Sequence, residues 1–548
     1  KRGAFPDPVK RAFINTAVCE GCGDCGQKSN CVAIVPEETE LGTKRAIDQS
    51  TCNKDFSCVN GFCPSFVTVH GAVPRKQAGL AGQGGIASML ASLPDPKLPA
   101  LGAHPYTMLV TGVGGTGVVT ISAVLGQAAY LDGLGFGAID MTGLAQKGGA
   151  VACHMKVAST SDQIHAIRAG TASTDVIIGC DLVVTASNKV LETVRPDHTT
   201  VVLSTHEMPV ADFARKPDLK LPGGDLYRSI EERVRKGTLF ALDAHEYAVK
   251  LFADSIASNM FMLGLAYQLG RIPISAASIE KAIELNGAAV DMNRNAFRFG
   301  RLAAHDRAAL DRLVKPTEKK VAAPTLEELT SVRARHLEDY QDAALAQRYR
   351  STVERIAALE KERASGRTGL AEAVARGYFK LLSYKDEYEV ARLYTDGRFG
   401  KAVEENFDGK NLRFEFHLAP PLLTWWNKDK VTGHPRKMSF GPWMLPVFRL
   451  LAKGKKLRGS KLDVFGYTAE RKLERKMITD YEALLGELER RLSPETHAAA
   501  RALAGLPEEI KGFGHVKLAN YEKTMKKQEA LLGMLRDPKP ASTLKAAE

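Results

Sequence analysis

Seven of the nine cysteines fall between residues 19 and 63, in two runs: "CEGCGDCGQKSNC" (Cys19, Cys22, Cys25, Cys31) and "CNKDFSCVNGFC" (Cys52, Cys58, Cys63). Such a density needs an explanation beyond packing. Disulfide scaffolds belong to small secreted domains that cannot bury enough core. This chain has 548 residues, and its opening "KRGAFPDPVKR" carries charge but no apolar signal segment. Clustered thiols in that setting point to metal.

Three cysteines at three-residue spacing let consecutive thiolates converge on one iron–sulfur cubane, the fourth ligand coming from the Cys-Pro of the partner loop. On that pattern Cys19, Cys22, Cys25 and Cys63 hold one cluster, and Cys31, Cys52 and Cys58 share a second. The remaining slot of the second is filled by Asp55. A carboxylate oxygen is a harder ligand than thiolate, so an iron held by Asp55 is labile. If Asp55 stands aside, that cluster is a three-iron one or the loop takes another register. The first loop departs too: five residues precede Cys31, and Val32 stands where proline is usual. Zinc is the rival metal, but seven cysteines in interlocked triplets fit its four-ligand sites poorly.

Hydrophobic content of 44% and charged content of 25% mark a soluble globular chain of more than one domain. No apolar run reaches the roughly 18–20 residues of a membrane span. The net charge of +12 is spread out, and its densest run, "KGKKLRGSK" (453–461), reads as a solvated loop. No nucleic-acid-binding signature accompanies it.

Residues 1–75 form the cysteine-rich module and 76–105 a Gly/Ala/Pro-rich linker or wrapping segment. From Tyr106 short apolar runs alternate with helical ones: "YTMLVTG", "FGAID", "VACHMKVA", "DVIIGCDLVVTAS", "TVVLSTH" and "TLFALDA" read as strands. The alternation predicts a mainly parallel α/β sheet over 106–313. Residues 314–548 read as mainly helical, with Leu345, Tyr349, Val353 and Ile356 on one helix face.

Within the α/β segment, Gly112, Gly114 and Gly117 make a G-x-G-x-x-G turn between strand and helix, flanking Gly115 and Thr116. Such a turn offers backbone and a helix N-terminus to a phosphate, or serves packing alone. Asp140 ends the next strand, where a nicotinamide-binding fold keeps its ribose-binding acid. Gln146, Lys147, Gly148 and Gly149 add a cationic turn. Cys153 and His154 read as a buried thiol beside a satisfied histidine, Cys180 as core, and "LAPPLLTWWNK" (418–428) as a docking patch or local core.

The ferredoxin-like loops, "GVGGTGV", "QKGG" and "ELNGAAVDMNRNAFRFGR", in this order, resemble the back half of the fused indolepyruvate ferredoxin oxidoreductases, members of the 2-oxoacid:ferredoxin oxidoreductases. The resemblance implies a small α+β ferredoxin-like module with two 4Fe-4S clusters, a gamma-type α/β domain and a helical extension. It implies oxidative decarboxylation of an aryl 2-oxoacid on thiamine diphosphate and Mg²⁺, acyl transfer to coenzyme A, and reduction of ferredoxin, in a cytoplasmic oligomer. Gly112 to Gly117 and Gln146 to Gly149 would then help form the coenzyme A side; relatives often carry arginine where Lys147 stands, so a bidentate anion contact does not follow. No Gly-Asp-Gly thiamine motif and no initiator Met occur. The expectation is a C-terminal portion or processed subunit that needs thiamine-binding domains as partner and is inactive alone. The alternatives are an iron–sulfur subunit of a NAD(P)- or flavin-linked oxidoreductase, and a non-catalytic scaffold built on structural zinc.

Overall fold

In this computed structural model, residues 8–75, 90, 92–114, 116–143, 149–207, 222–314, 324–420, 427–430 and 433–537 are described. Gly115, Gln146, Lys147, Gly148 and most of the 418–428 patch lie outside them.

The cysteine-rich segment is bracketed by two strands, β1 (Lys10–Ile14) and β4 (Phe66–His70), paired antiparallel. Between them β2 (Ile34–Glu37) and β3 (Lys44–Ile47) make a hairpin. Past β4 comes the short β5 (Val73–Pro74).

The α/β region carries a sheet of β6 (Tyr106–Val113), β7 (Gly135–Thr142), β8 (Ala150–Ala158), β9 (Val176–Gly179), β10 (Thr200–Ser204) and β11 (Leu239–Leu242), in the order β11-β10-β9-β6-β8-β7. β6 and β9 to β11 run parallel, as the alternation predicts, and both β6 and β7 pair antiparallel with β8. β6 is buried from Thr107 to Val113, the continuous run of a strand covered on both faces. The "DVIIGCDLVV" run is not strand throughout. Asp181 accepts from the Val184 N–H at 2.7 Å and caps a helical turn, which ends β9 at Gly179.

Residues 92–105 wrap this core. Leu93, Leu98 and Leu101 pack against it, and Arg301 donates to the carbonyls of Leu93 (3.3 Å) and Pro94 (3.1 Å) and to Asp95 (2.8 Å).

Helices Leu326–Tyr340, Ala343–Arg363, Leu370–Leu382 and Ala469–Arg491 form a separate core in which Tyr349, Val353 and Ile356 are buried. This last region also contributes strands: β12 (Phe407–Asp408) pairs with β5, while β13 (Arg413–Leu418) and β14 (Met438–Phe440) extend the N-terminal sheet to the order β1-β4-β13-β14. One sheet therefore joins segments that the sequence reading assigns to opposite ends of the chain. Among the described residues no helix is long and apolar enough to cross a membrane.

Candidate functional site

The thiol segment turns repeatedly through left-handed backbone. Gly21 and Gly23 have φ of 70° and 78°, and Lys54 and Phe56 follow at 63° and 58°. At Gly21 a side chain would also meet the Thr43 carbonyl at 2.5 Å, so the loop lies directly against the β2–β3 hairpin. Its N–H points at the Cys19 Sγ, 3.3 Å away. The two loops interlock: Asp24 accepts from the Phe62 N–H at 2.6 Å, and a Cβ on Gly61 would sit 2.8 Å from the Cys25 Cα.

All nine cysteines are free thiols, and by their electrostatic neighbours seven of them fall into two adjoining groups, Cys19, Cys22, Cys25 and Cys63 in one and Cys31, Cys52 and Cys58, beside Asp55, in the other. Burial, then Cys63 and Cys19, pushes Cys22 far above the usual thiol range. Burial, then Cys63, Cys19 and Cys22, does the same to Cys25. In the other set burial, then Cys52, Cys31 and Asp55, raises Cys58 to about 12. Cys52 is likewise raised by burial, with Cys31 and Asp55 beside it. Burial raises Cys63, whose Sγ lies 2.9 Å from the Ser65 hydroxyl. Thiols crowded out of water in this way disfavour the thiolate unless a cation compensates it. Among the described residues no three Cys, His, Asp or Glu side chains are close enough to hold a single metal ion. The donor chemistry, two sets of four with backbone N–H near sulfur, fits a larger sulfur-rich group. Asp55 is exposed, and its Oδ1 accepts from the Ser57 N–H (3.1 Å) and hydroxyl (2.8 Å).

The glycine turn is tightly filled. A Cβ at Gly112 would meet Val118 at 2.6 Å, and one at Gly114 would meet the Gly149 carbonyl at 3.2 Å. The Gly114 N–H donates to that carbonyl at 2.7 Å, which brings the start of β8 onto the turn. Gly117, at φ 94°, is the left-handed N-cap of helix Val118–Leu131. Thr116 gives its carbonyl to the Asn259 amide at 2.5 Å. Asp140 lies on the edge strand β7, two strands from β6, where it accepts from the Ser122 hydroxyl at 3.0 Å. That position ties the helix to the sheet and lies away from the turn. Cys153 is fully buried, and the His154 Nδ1 accepts from the Ala169 N–H at 3.2 Å.

A small pocket opens where the strand order reverses, at the carboxyl ends of β6, β9 and β10, which is where ligands bind in open α/β sheets. Thr51, Thr116, Cys180, His206, His245 and Ser255 are among its walls. Cys180 is thus a half-buried pocket residue, a correction to its reading as core; the turn at Asp181 exposes it. The His206 and His245 rings stack at 3.9 Å, 5° from parallel. Burial would raise Asp243, but hydrogen bonds from His206 and the Glu246 N–H outweigh it and hold the carboxyl low. Burial, then His206, lowers His245. The Ser50 and Ser255 hydroxyls lie 2.8 Å apart. The residue before Cys52 therefore shares a pocket with the glycine turn. The sequence reading missed this group. Its signal was position: Cys180 and His206 each stand just past the carboxyl end of a strand, and His245 just past β11.

Residues 107–303 match the family described as pyruvate ferredoxin/flavodoxin oxidoreductase, and residues 326–530 match a family of unknown function, DUF6537. The indolepyruvate oxidoreductase subunit IorB of Methanothermobacter thermautotrophicus is 26% identical over 202 residues, covering 36% of this chain and 95% of that protein. Its counterpart in Archaeoglobus fulgidus is 28% identical over 199 residues, covering 35% and 92%. The gamma subunit of a keto/oxoacid ferredoxin oxidoreductase from Geobacter sulfurreducens aligns at 18% identity and a TM-score of 0.27, covering 36% of this chain and 98% of that one. By these sequence matches the α/β region of the chain is similar to the pyruvate ferredoxin/flavodoxin oxidoreductase family and to the indolepyruvate oxidoreductase subunits.

Proposed function

We propose that this chain is the electron-transfer and acceptor-side portion of an enzyme that oxidatively decarboxylates an aryl 2-oxoacid to its acyl-CoA and reduces ferredoxin. The observation that carries the reading is the meeting of two free-thiol sets with the glycine-turn end of the α/β sheet, through Thr51 and Thr116 in one pocket.

Cys19, Cys22, Cys25 and Cys63 would hold one iron–sulfur cluster; Cys31, Cys52, Cys58 and Asp55 the other. Such clusters supply one-electron carriers of low potential. The protein's own part is to exclude water from the thiols and hold the two loops face to face through Asp24 and Phe62. The Gly21 N–H near Cys19 and the Lys437 ammonium, which Cys63 and Cys25 hold up against burial, favour sulfur-borne negative charge. Gly112, Gly114, Gly115, Thr116 and Gly117, with Gln146 to Gly149, would border the coenzyme A side. Thiamine diphosphate and Mg²⁺ belong to partner domains, since no Gly-Asp-Gly segment occurs in the chain. The exposed position of Asp140 on an edge strand gives no support to the nicotinamide alternative.

An anaerobic iron and sulfide count with EPR of the dithionite-reduced chain tests this. About eight irons with coupled signals are expected. About seven, with a signal already present in the oxidised protein, would take Asp55 out of the ligand set. An iron-free protein would sink the reading. Turnover of an arylpyruvate by the chain alone would refute the division of labour.

A further inference from the structure

A cavity of about 780 Å³ lies between the β2–β3 loop, the segment Asn15–Glu20, and the helices of the C-terminal region. Its wall is unusually cationic. Lys44, Arg333, Arg376, Lys380, Lys385 and Lys511 all face it, and basic side chains outnumber carboxylates.

Some of these charges have local employment. Lys385 donates to the carbonyls of Val18 and Cys19 at 3.1 Å each, and both Lys380 and Lys385 pair with Glu20. Others do not. Among the described residues Lys44, Arg333 and Arg376 form no ion pair. Arg333 is only 4% exposed; one of its terminal nitrogens donates to the Leu329 carbonyl at 3.4 Å, and its Nε has no hydrogen-bond acceptor. Its guanidinium lies over the Phe379 ring, 5.5 Å from the centroid. Burial, followed by the nearby Lys517, Lys385 and Lys511, drives Lys380 well below the ordinary lysine range. Buried cations are kept when something pairs them, and a buried guanidinium with no carboxylate in contact is a standing cost.

We propose that this cavity binds an organic phosphate of nucleotide size, its phosphates held by Lys44, Arg333 and Arg376 and its uncharged part lying toward Leu41 and Phe379. Arginine forks match phosphate oxygens in pairs, and lysines add point charges. The volume falls within the roughly 300–1,000 Å³ of small-molecule sites. A lone phosphate ion would leave most of it empty. The inference does not depend on what the thiols hold: the cavity wall is shared between the N-terminal segment and the helical region, and neither the family match nor the reaction assigns the helical side a role.

Calorimetric titration of the full chain with ATP, ADP, pyrophosphate and adenosine tests it. ATP and ADP are expected to bind, adenosine not, and pyrophosphate more weakly than either nucleotide. Affinity should fall as salt is raised, since the contacts are charge contacts. Arg376→Gln, at a half-buried position without a hydrogen-bond partner among the described residues, should weaken ATP binding at least tenfold with iron content and melting temperature unchanged. Lys44→Gln should weaken it in the same direction, so one poorly folding variant does not decide the matter. Failure of both nucleotides to bind, or undiminished binding in both variants, overturns the proposal. Pyrophosphate binding as tightly as ATP overturns its nucleotide part.

Discussion

Lys437 donates its ammonium to the Gly61 carbonyl at 2.8 Å across 376 residues of sequence, and to the Val59 carbonyl at the same distance. A side chain beside β14 thereby fixes the second cysteine loop. Burial lowers the lysine, and the thiols of Cys63, Cys25 and Cys58 work against that lowering. The C-terminal region is thus a structural part of the thiol cage.

Lys437→Met keeps the length of the side chain and removes the donor. Two carbonyls near the cage then lose their partner, each worth about 1–3 kcal/mol if left unsatisfied. Denaturant unfolding should show a loss of roughly 2–4 kcal/mol on the same scale. Unchanged stability would mean that water replaces the ammonium without cost.

Gly61→Ala is a steric test of the interlocked loops. Gly61 has an ordinary φ of −58°, so alanine suits its backbone. The added methyl would nevertheless stand 2.8 Å from the Cys25 Cα and 2.9 Å from its Cβ, both on the opposing loop. Neither atom can swing aside, so the loops must part. Overpacking of this kind costs about 1–3 kcal/mol. Bound iron per chain should fall relative to the parent in parallel anaerobic preparations. Wild-type iron content and melting temperature would show that the loops are not in contact in solution.

These two residues mark how far the sequence could be read. The grouping of the thiols was legible because cysteine spacing acts over a few residues. The α/β alternation was legible for the same reason, and so was the stripe through Tyr349, Val353 and Ile356. The pairing of β13 with β4 was not: Phe416 finds Val67 through a register that no local pattern encodes. Arg333 and Arg376 carry no local signal of their own, and only packing brings them to one cavity. Cys180 looked like core because its neighbours Ile177 and Ile178 are; the cap made by Asp181 alters its surroundings.

The joined sheet carries its own pH dependence. His417 sits on β13 with Nε2 2.8 Å from the Thr68 hydroxyl on β4 and Nδ1 3.2 Å from the Ser439 hydroxyl on β14. Burial lowers it from 6.5 to about 4, helped by Lys437 and His70 and opposed by Glu415; Lys10 also lowers it. The folded state therefore holds the ring neutral where the unfolded chain would protonate it. The stabilisation is complete above pH 6.5 and is lost as pH falls toward 4. Melting temperatures measured from pH 7 to pH 4.5 should drop, and His417→Gln should flatten that part of the profile. An identical slope in the variant would assign the effect to other groups.

The helical region hangs on a buried ion pair. Arg458 donates to both oxygens of Asp386, at 2.5 and 2.9 Å, and to the Tyr340 carbonyl at 2.9 Å. Its guanidinium lies 3.7 Å from the Tyr340 ring centroid. Asp386 also accepts the Glu389 N–H at 2.8 Å as the cap of helix Glu387–Thr395. Replacing Asp386 with asparagine retains a cap acceptor but leaves the guanidinium buried without its counter-charge. Breaking such a pair from one side costs about 3–5 kcal/mol. The helix Glu387–Thr395 packs into the core shared with β4 and β13, through Leu393 and Tyr394. Damage at Asp386 should therefore reach the thiol module, and Asp386→Asn should lower both unfolding stability and retained iron. Loss of stability with full iron content would show that the helical core and the thiol module unfold independently.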